Sequence, residues 1–177
     1  MNEARLEDGE QGRYPASDGW FVLNLGEALA QRNEEKGGAY YPLEASDARF
    51  RDFGFNIHVL WPGEPNGLYH AESGREAFLV LSGECVLVVE EEERMLRQWD
   101  FFHCPGGTRH IFVGAGDGPC AILMVGARPE VEEILFPTSE VAARYGASAA
   151  KETENPDEAY ADWPGDFVPA RVPWPVE

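Results

Sequence analysis

The sequence has no apolar run long enough to cross a bilayer, few cysteines and few basic residues. Of its 177 residues, 44% are hydrophobic, which is ordinary for one globular domain with a real core. A membrane helix needs a stretch of roughly 18 apolar residues or more, and none is present. The segment Met1 to Gly12 is acidic and polar and lacks the apolar core of a secretion signal. We therefore expect a cytoplasmic protein with no membrane partner.

Positive charge is scarce as well. The chain has 14 Lys and Arg against 32 Asp and Glu, a formal net charge of -18. A field of this sign repels phosphate backbones, so nucleic acid is not expected as a partner. The charge does not exclude a small ligand, because a bound metal can dominate the local potential.

The three cysteines, Cys85, Cys104 and Cys120, lie inside apolar runs and have no C-x-x-C spacing. An odd number of cysteines outside loops argues against a disulfide framework. We expect buried free thiols.

The central part of the chain consists of short β-rich runs separated by turn residues. Many short strands with regular turn signals predict an all-β fold, an antiparallel sandwich or barrel. Several runs are apolar at consecutive positions, which is typical of strands covered on both faces, by a second sheet, the terminal segments or another subunit. The predicted strands are Phe53–Trp61, Glu76–Leu81, Cys85–Val89, Arg94–Arg97, Phe101–Cys104, His110–Val113 and Cys120–Ala127.

The two flanks differ from this centre. Residues 1–49 predict a mobile arm to Ser17, an extended segment near Trp20, a helix over 25–33 ended by Gly37 and Gly38, and an extended segment over 40–43. Residues 129–177 predict a short helix over 140–145, capped by Thr138 or Ser139, and then an acidic tail rich in Pro and Trp. Four aromatic residues in that tail favour an extended segment lying over the barrel or over a neighbouring subunit.

Four possible metal ligands lie between Gly67 and His110, namely His70, Glu72, Glu76 and His110. His70 and Glu72 are two apart, so on a strand their side chains face the same side. Two later hairpins could return His110 to this place. Two imidazoles and two carboxylates suit a divalent metal such as Zn, Mn, Fe or Ni and exclude soft thiolate chemistry.

Other residues near these four are candidates for the wall of a cavity. Phe78 and Phe112 share strand parity with Glu76 and His110, and His58 on the preceding strand is a third wall candidate. Only one of His103 and Cys104 can point inward, and packing is the expected role of both. Arg75 and Arg109 alternate away from the ligands and are expected at the surface.

The spacing of these residues resembles the two motifs of the cupin superfamily. His70, Glu76 and Gly83 match the first motif, and Pro105, Gly107 and His110 match the second. Glu72 replaces the second histidine of the first motif, which changes the ligand set without removing a ligand. Turn positions differ at three further residues, Glu64, Trp99 and Gly114.

The resemblance implies a single cupin domain, a jelly-roll-like antiparallel β-barrel over residues 50–128 with short helices and an extended tail. It also implies a metal-dependent enzyme of dioxygenase or isomerase type that acts on a small organic molecule, with Glu72 or Glu76 as candidate general base. The alternative is a non-catalytic cupin that binds or senses a metal or a metabolite. Small cupins commonly dimerise, so a homodimer is expected.

Overall fold

A computed structural model of the chain describes residues 2–45 and 48–172, in which short strands dominate. Two helices accompany them, α1 (Glu140–Ala143) and α2 (Pro156–Ala159). Each has four residues, and no helix in the described ranges is long and apolar enough to span a membrane.

The strands are β1 (Leu6–Gly9), β2 (Gly12–Pro15), β3 (Ala30–Arg32), β4 (Ala39–Pro42), β5 (Phe53–Leu60), β6 (Ala71–Glu72), β7 (Glu76–Ser82), β8 (Glu84–Val89), β9 (Glu92–Arg97), β10 (Phe101–Cys104), β11 (His110–Ala115), β12 (Cys120–Ala127), β13 (Ile134–Leu135) and β14 (Val168–Ala170).

Two antiparallel sheets form the body of the molecule. The larger has the order β10-β7-β12-β5-β4-β3-β14, and the smaller has the order β11-β8-β9. The pair β13-β6 continues the smaller sheet, because the chain just before β6 bridges to β11 through His70 and His110. The predicted all-β antiparallel fold is confirmed, and the predicted strands between 53 and 127 are all present.

The two inner faces meet in an apolar core. Phe78, Val80 and Ile122 from the larger sheet pack with Leu87 and Phe112 from the smaller sheet. Burial of such side chains stabilises the fold by about 1.5–3 kcal/mol each. The sandwich is therefore closed by apolar packing over most of its length.

The outer face of the larger sheet is also covered. Val59 and Ala121 are fully buried there, against Leu25 from the N-terminal flank and Val172 from the C-terminal flank. The consecutive apolar residues of these strands are thus explained by cover from the terminal segments, one of the alternatives that the sequence left open.

The N-terminal flank departs from the prediction in two places. The segment predicted as a mobile arm forms the hairpin of β1 and β2. The helix predicted over 25–33 is wrong. Asn24 accepts a hydrogen bond from the backbone N–H of Gly26 and closes a turn, and the following residues are extended, with Ala28 and Ala30 both buried. Tertiary pairing of Ala30–Arg32 with strands on both sides outweighs a weak helical pattern.

The C-terminal flank follows the prediction more closely. The Ser139 hydroxyl caps α1 by accepting from the N–H of Ala142 at 2.9 Å, and Gly146 ends the turn with φ +64°. The tail then packs on its own chain, where β14 pairs with β3. The helix α2 within the tail was not predicted. Trp174 and the last prolines of the predicted tail lie outside the described residues.

Candidate functional site

The four predicted ligands come together at one end of the space between the sheets. His70 precedes β6, Glu72 ends it, Glu76 begins β7 and His110 begins β11. The backbones of His70 and His110 exchange two hydrogen bonds, at 3.2 and 2.8 Å, and their ring centroids are 5.0 Å apart. An antiparallel bridge therefore fixes the two imidazoles side by side.

Backbone carbonyls orient both rings. Nδ1 of His70 lies 2.7 Å from the carbonyl oxygen of Leu68, and Nδ1 of His110 lies 3.1 Å from that of Thr108. A carbonyl only accepts, so each Nδ1 carries the proton and each Nε2 keeps its lone pair. Hydrogen bonds of this kind are the usual outer-shell support of metal-binding histidines.

The free Nε2 atoms face carboxylates. Nε2 of His70 is 3.7 Å from Oε1 of Glu72, and Nε2 of His110 is 3.5 Å from Oε2 of Glu76. These pairs are too long for good hydrogen bonds, but each places a nitrogen lone pair and a carboxylate oxygen around a common point. The donor chemistry fits a divalent cation of the hard-to-borderline class.

The four residues line a cavity of about 260 Å³. Of the predicted wall residues, His58 and Phe78 also line it. Phe112 does not: it is fully buried behind Phe78, with the ring centroids 4.8 Å apart, because β11 turns that side chain into the core. The remaining lining residues are Gly54, Asn56, Asn66, Met124, Gly126, Ala127, Arg128 and Glu132.

Burial changes the ionisation of the cluster. Burial, and next the charge of Glu72, raise the pKa of Glu76 to about 8, while a hydrogen bond from Cys104 opposes the shift. Burial likewise raises the pKa of Glu72, opposed by His70. Burial, followed by the neighbouring His70, lowers the pKa of His110 to about 3, so this ring is neutral and able to donate its lone pair.

Cys104 is a further residue near the cluster. Its Sγ lies 3.5 Å from Nδ1 of His110 and 3.9 Å from Oε2 of Glu76, and the donor atoms of these three residues lie within 4.8 Å of one another. In the metal-free protein, burial and then the charge of Glu76 raise its pKa to about 12, so the sulfur is a thiol there, whereas a metal bound to it would favour the thiolate. The thiol also sits on the Nδ1 side of the His110 ring, away from the Nε2 lone pair. We therefore assign Cys104 to the support of that ring.

The other residues near the cluster lie where they were expected, with the exception of His103. His103 is exposed rather than packed, since Cys104 takes the inward position, and Arg75 and Arg109 are exposed. Cys85, Cys104 and Cys120 are buried free thiols, as predicted.

The sequence did not single out Arg128, Asn56, Asn66 or Glu132 as lining residues. One signal was available for part of this wall. Gly54, Asn56 and His58 alternate along β5, so polar or small residues occupy one face of an otherwise apolar strand. Arg128 follows the end of β12 and carried no such pattern.

Comparison with known proteins finds a family whose model matches the central part of the chain. A family model described as "Cupin domain" matches residues 56–126, which include all four predicted ligands. No curated protein matches the chain.

Solved structures share the fold. A sugar phosphate isomerase of the cupin superfamily from Silicibacter pomeroyi is 27% identical, with a TM-score of 0.54 over 64% of this chain and 79% of that chain. The polyketide cyclase RemF from Streptomyces resistomycificus is 17% identical, with a TM-score of 0.54 over 64% and 83%. A protein from Acidithiobacillus ferrooxidans is 25% identical, with a TM-score of 0.49, and the match covers 55% of this chain and 65%, just under two thirds, of that chain.

Proposed function

We propose that this protein, which belongs to the cupin superfamily, is a metal-dependent enzyme of isomerase type acting on a small organic molecule. His70, Glu72, Glu76 and His110 are the residues that would hold the metal. The observation that carries the proposal is that two pairs, each an oriented Nε2 lone pair facing a carboxylate, line a single cavity.

A divalent cation held there would act as a Lewis acid on a carbonyl oxygen of the substrate. The chain's own residues supply the proton transfer. Glu76 is the better placed carboxylate for this task, because its side chain is 12% exposed against 23% for Glu72 and shares the cavity with Phe78, and it would act as the general base when it is not bound to the cation. Phe78 and Met124 form the apolar part of the wall and limit water around that carboxylate.

The support that the comparisons give to an isomerase over an oxygenase is the similarity of this chain to one such protein. The Silicibacter protein is a sugar phosphate isomerase with the same fold and 27% identity. RemF shares the fold at 17% identity and carries a different activity, so the fold alone does not decide the reaction. The support from this chain itself is a carboxylate, that of Glu76, in a cavity whose wall is partly apolar.

Exchange of substrate hydrogen with solvent tests the proposal. The Mn²⁺-loaded protein is incubated in D₂O with aldose and ketose phosphates, and deuterium incorporation next to the carbonyl is followed by ¹H NMR. We expect incorporation by the native protein, its loss in Glu76→Gln, and native behaviour in Glu84→Gln, whose carboxylate is exposed on β8. Metal binding without any exchange would contradict an enzyme of this type and favour the binding or sensing alternative.

We also propose that the protein is a homodimer joined through the surface formed by β9, β10 and the turn between them. Met95, Trp99 and Phe101 are 62%, 68% and 64% exposed there. β10 is the outermost strand of the larger sheet and β9 that of the smaller sheet within the described chain. A second copy would offer the same free edge, which suits a two-fold interface.

Trp99 gives this second proposal a clean test. Its φ is +75°, a left-handed value that costs a bulky residue about 1 kcal/mol or more. Trp99→Gly relieves that strain and removes exposed apolar area, so we expect a fold that is more stable and a dimer that dissociates more readily in sedimentation experiments. A variant that keeps the native association constant would overturn the assignment of this interface.

A further inference from the structure

Two glycines lie side by side on the floor of the cavity. Gly126 on β12 pairs with Gly54 on β5 on one side and with Glu76 on β7 on the other. Neither glycine has a positive φ, so backbone conformation does not require them. Glycine inside a strand weakens it and often marks a place where a ligand approaches the backbone closely.

The space above these glycines is bordered by opposite charges. A Cβ atom on Gly126 would lie 3.7 Å from Cγ of Glu76, and a Cβ atom on Gly54 would lie 3.2 Å from Nη2 of Arg128. Both glycines, Glu76 and Arg128 line the same cavity. The floor is therefore a trough that runs from the His/Glu cluster to a guanidinium group.

Arg128 is held in place at the far end of the trough. Its Nη2 donates to Oε2 of Glu44 at 2.8 Å, and its Nη1 donates to the carbonyl of Phe50 at 2.5 Å. A guanidinium has five N–H donors in a rigid fork, so these contacts orient it and leave donors for a ligand. Arg128 is also the one cation among the described residues that line this cavity, whose other ionisable groups include three glutamates.

The wall of the trough offers an acceptor. Asn56 lies on the same face of β5 as Gly54, and its Oδ1 is buried without a hydrogen-bond partner among the described residues. A buried carbonyl oxygen left unpaired is costly and is satisfied by a donor such as a hydroxyl group. Asn66 adds a carboxamide to the same cavity, where its Nδ2 lies 4.0 Å, a long contact, from the sulfur of Met124.

We propose that the trough binds a small hydroxylated molecule with one oxyanion group, a carboxylate or a phosphate, placed against Arg128. The hydroxylated part passes over Gly54 and Gly126 beside Asn56, and the opposite end reaches the cluster at Glu76. The reacting end rests on the proposed function, whereas the oxyanion contact stands on Arg128 and the glycines alone.

The test compares three unreactive five-carbon polyol probes that differ in one terminal group: ribitol with a hydroxyl, ribonate with a carboxylate and ribitol phosphate with a phosphate. Binding to the Mn²⁺-loaded protein is measured by isothermal titration calorimetry. We expect the anionic probes to bind about ten- to a hundredfold more tightly than ribitol, the range of a charge-assisted hydrogen bond. The tighter of the two anions identifies the oxyanion as carboxylate or phosphate.

Variants locate that preference. Arg128→Gln is expected to bind all three probes equally, Arg128→Lys to keep a reduced preference, and Arg75→Gln, the matched exposed arginine, to behave as the native protein. Gly126→Ala is expected to weaken all three probes, since its added methyl group fits the strand but fills the trough. If Arg128→Gln does not fold, the Arg128→Lys and Gly126→Ala variants carry the test.

The inference is overturned if the native protein binds the anionic probes no better than ribitol or binds none of them, or if Arg128→Gln retains the preference. Metal content is measured on the same samples by elemental analysis. A native protein without metal that still prefers anions through Arg128 would sink the proposed function and leave this inference standing. A metal-loaded protein whose anion affinity does not depend on Arg128 would overturn this inference and leave the proposed function standing.

Discussion

The two ends of the cavity are held by different kinds of contact. At the cluster end, His70 and His110 are fixed by backbone bridges and by carbonyls that accept from their Nδ1 atoms. At the trough end, Gly54 and Gly126 leave space, and the side chain of Arg128 closes it. Main-chain contacts thus orient the two imidazoles of the cluster end, whereas the trough end depends on a few side chains. We therefore expect changes at the cluster end to abolish function and changes at the trough end to alter which molecule binds.

The largest expected effect comes from removing both imidazoles of the cluster end. If each ring contributes at least as much as an outer-shell partner, about a hundredfold, the double variant His70→Ala/His110→Ala loses at least about ten-thousandfold in metal affinity. A competition titration with a chelating dye measures the loss. His103→Ala is the matched control, since that histidine is exposed on β10. Equal affinities in the double variant and the control would remove the metal assignment.

The next largest effect compares two phenylalanines at the border between the cavity and the apolar core. Phe112 is fully buried, so Phe112→Ala should lower the free energy of unfolding by about 3–5 kcal/mol. Phe78 borders the cavity, and Phe78→Ala should cost less, about 3 kcal/mol at the low end of this range, because part of its side chain already lies beside empty space. Denaturant titrations of both variants give the two values, and a larger loss for Phe78→Ala would reverse the boundary drawn here.

The sequence predicted that His70, Glu72, Glu76 and His110 lie near one another, and the reason is physical, whereas their binding of a metal stays a prediction. The predicted ligands lie before and after a set of hairpins, and the lengths of those hairpins fix the sequence spacing between them. His70, Glu76 and His110 therefore form a recognisable pattern. The trough end depends on strand register, which places Gly126 beside Gly54 and brings Arg128 over them. No local pattern encodes that register.

The difference between local sequence patterns and contacts between distant strands also explains which other parts of the fold were predicted. The strands between 53 and 127 have turn residues at their ends and were predicted, even where Trp99 stands at a left-handed turn position. The helix predicted over 25–33 was wrong, because the pairing of Ala30–Arg32 with two distant strands is a tertiary contact. Phe112 was predicted in the cavity wall because strand parity indicates the face of the strand on which a side chain lies. Parity does not indicate which neighbouring side chain covers it.

An intermediate effect concerns His58, on the wall between the two ends. Its ring stacks on Tyr40 at 5.7 Å, its Nδ1 is buried without a partner among the described residues, and burial lowers its pKa from 6.5 to about 4. The unfolded chain then binds a proton that the folded chain refuses between these pH values. The contribution of His58 to the free energy of unfolding is therefore complete above about pH 6.5 and falls by about 3 kcal/mol as the pH drops to 4.

Denaturant titrations across that range, compared with His58→Gln, isolate the contribution of this ring. The comparison is needed because Glu72 and Glu76 have raised pKa values and so act in the opposite direction, gaining protons in the folded state as the pH falls. We expect the native protein to lose more stability than His58→Gln on acidification. Parallel losses in the two proteins would show that His58 does not titrate below its ordinary range.

The smallest expected effect decides whether Cys104 belongs to the cluster or only supports it. As a thiol on the Nδ1 side of His110, it is not needed to hold the metal, so Cys104→Ala should change metal affinity by less than about tenfold, below the usual loss for an outer-shell partner. Cys85→Ala is the matched control, because that thiol is equally buried but lies away from the cavity. A loss as large as that of a histidine ligand would instead make Glu76, Cys104 and His110 the binding set, and would move the centre of the cluster to the other side of the His110 ring.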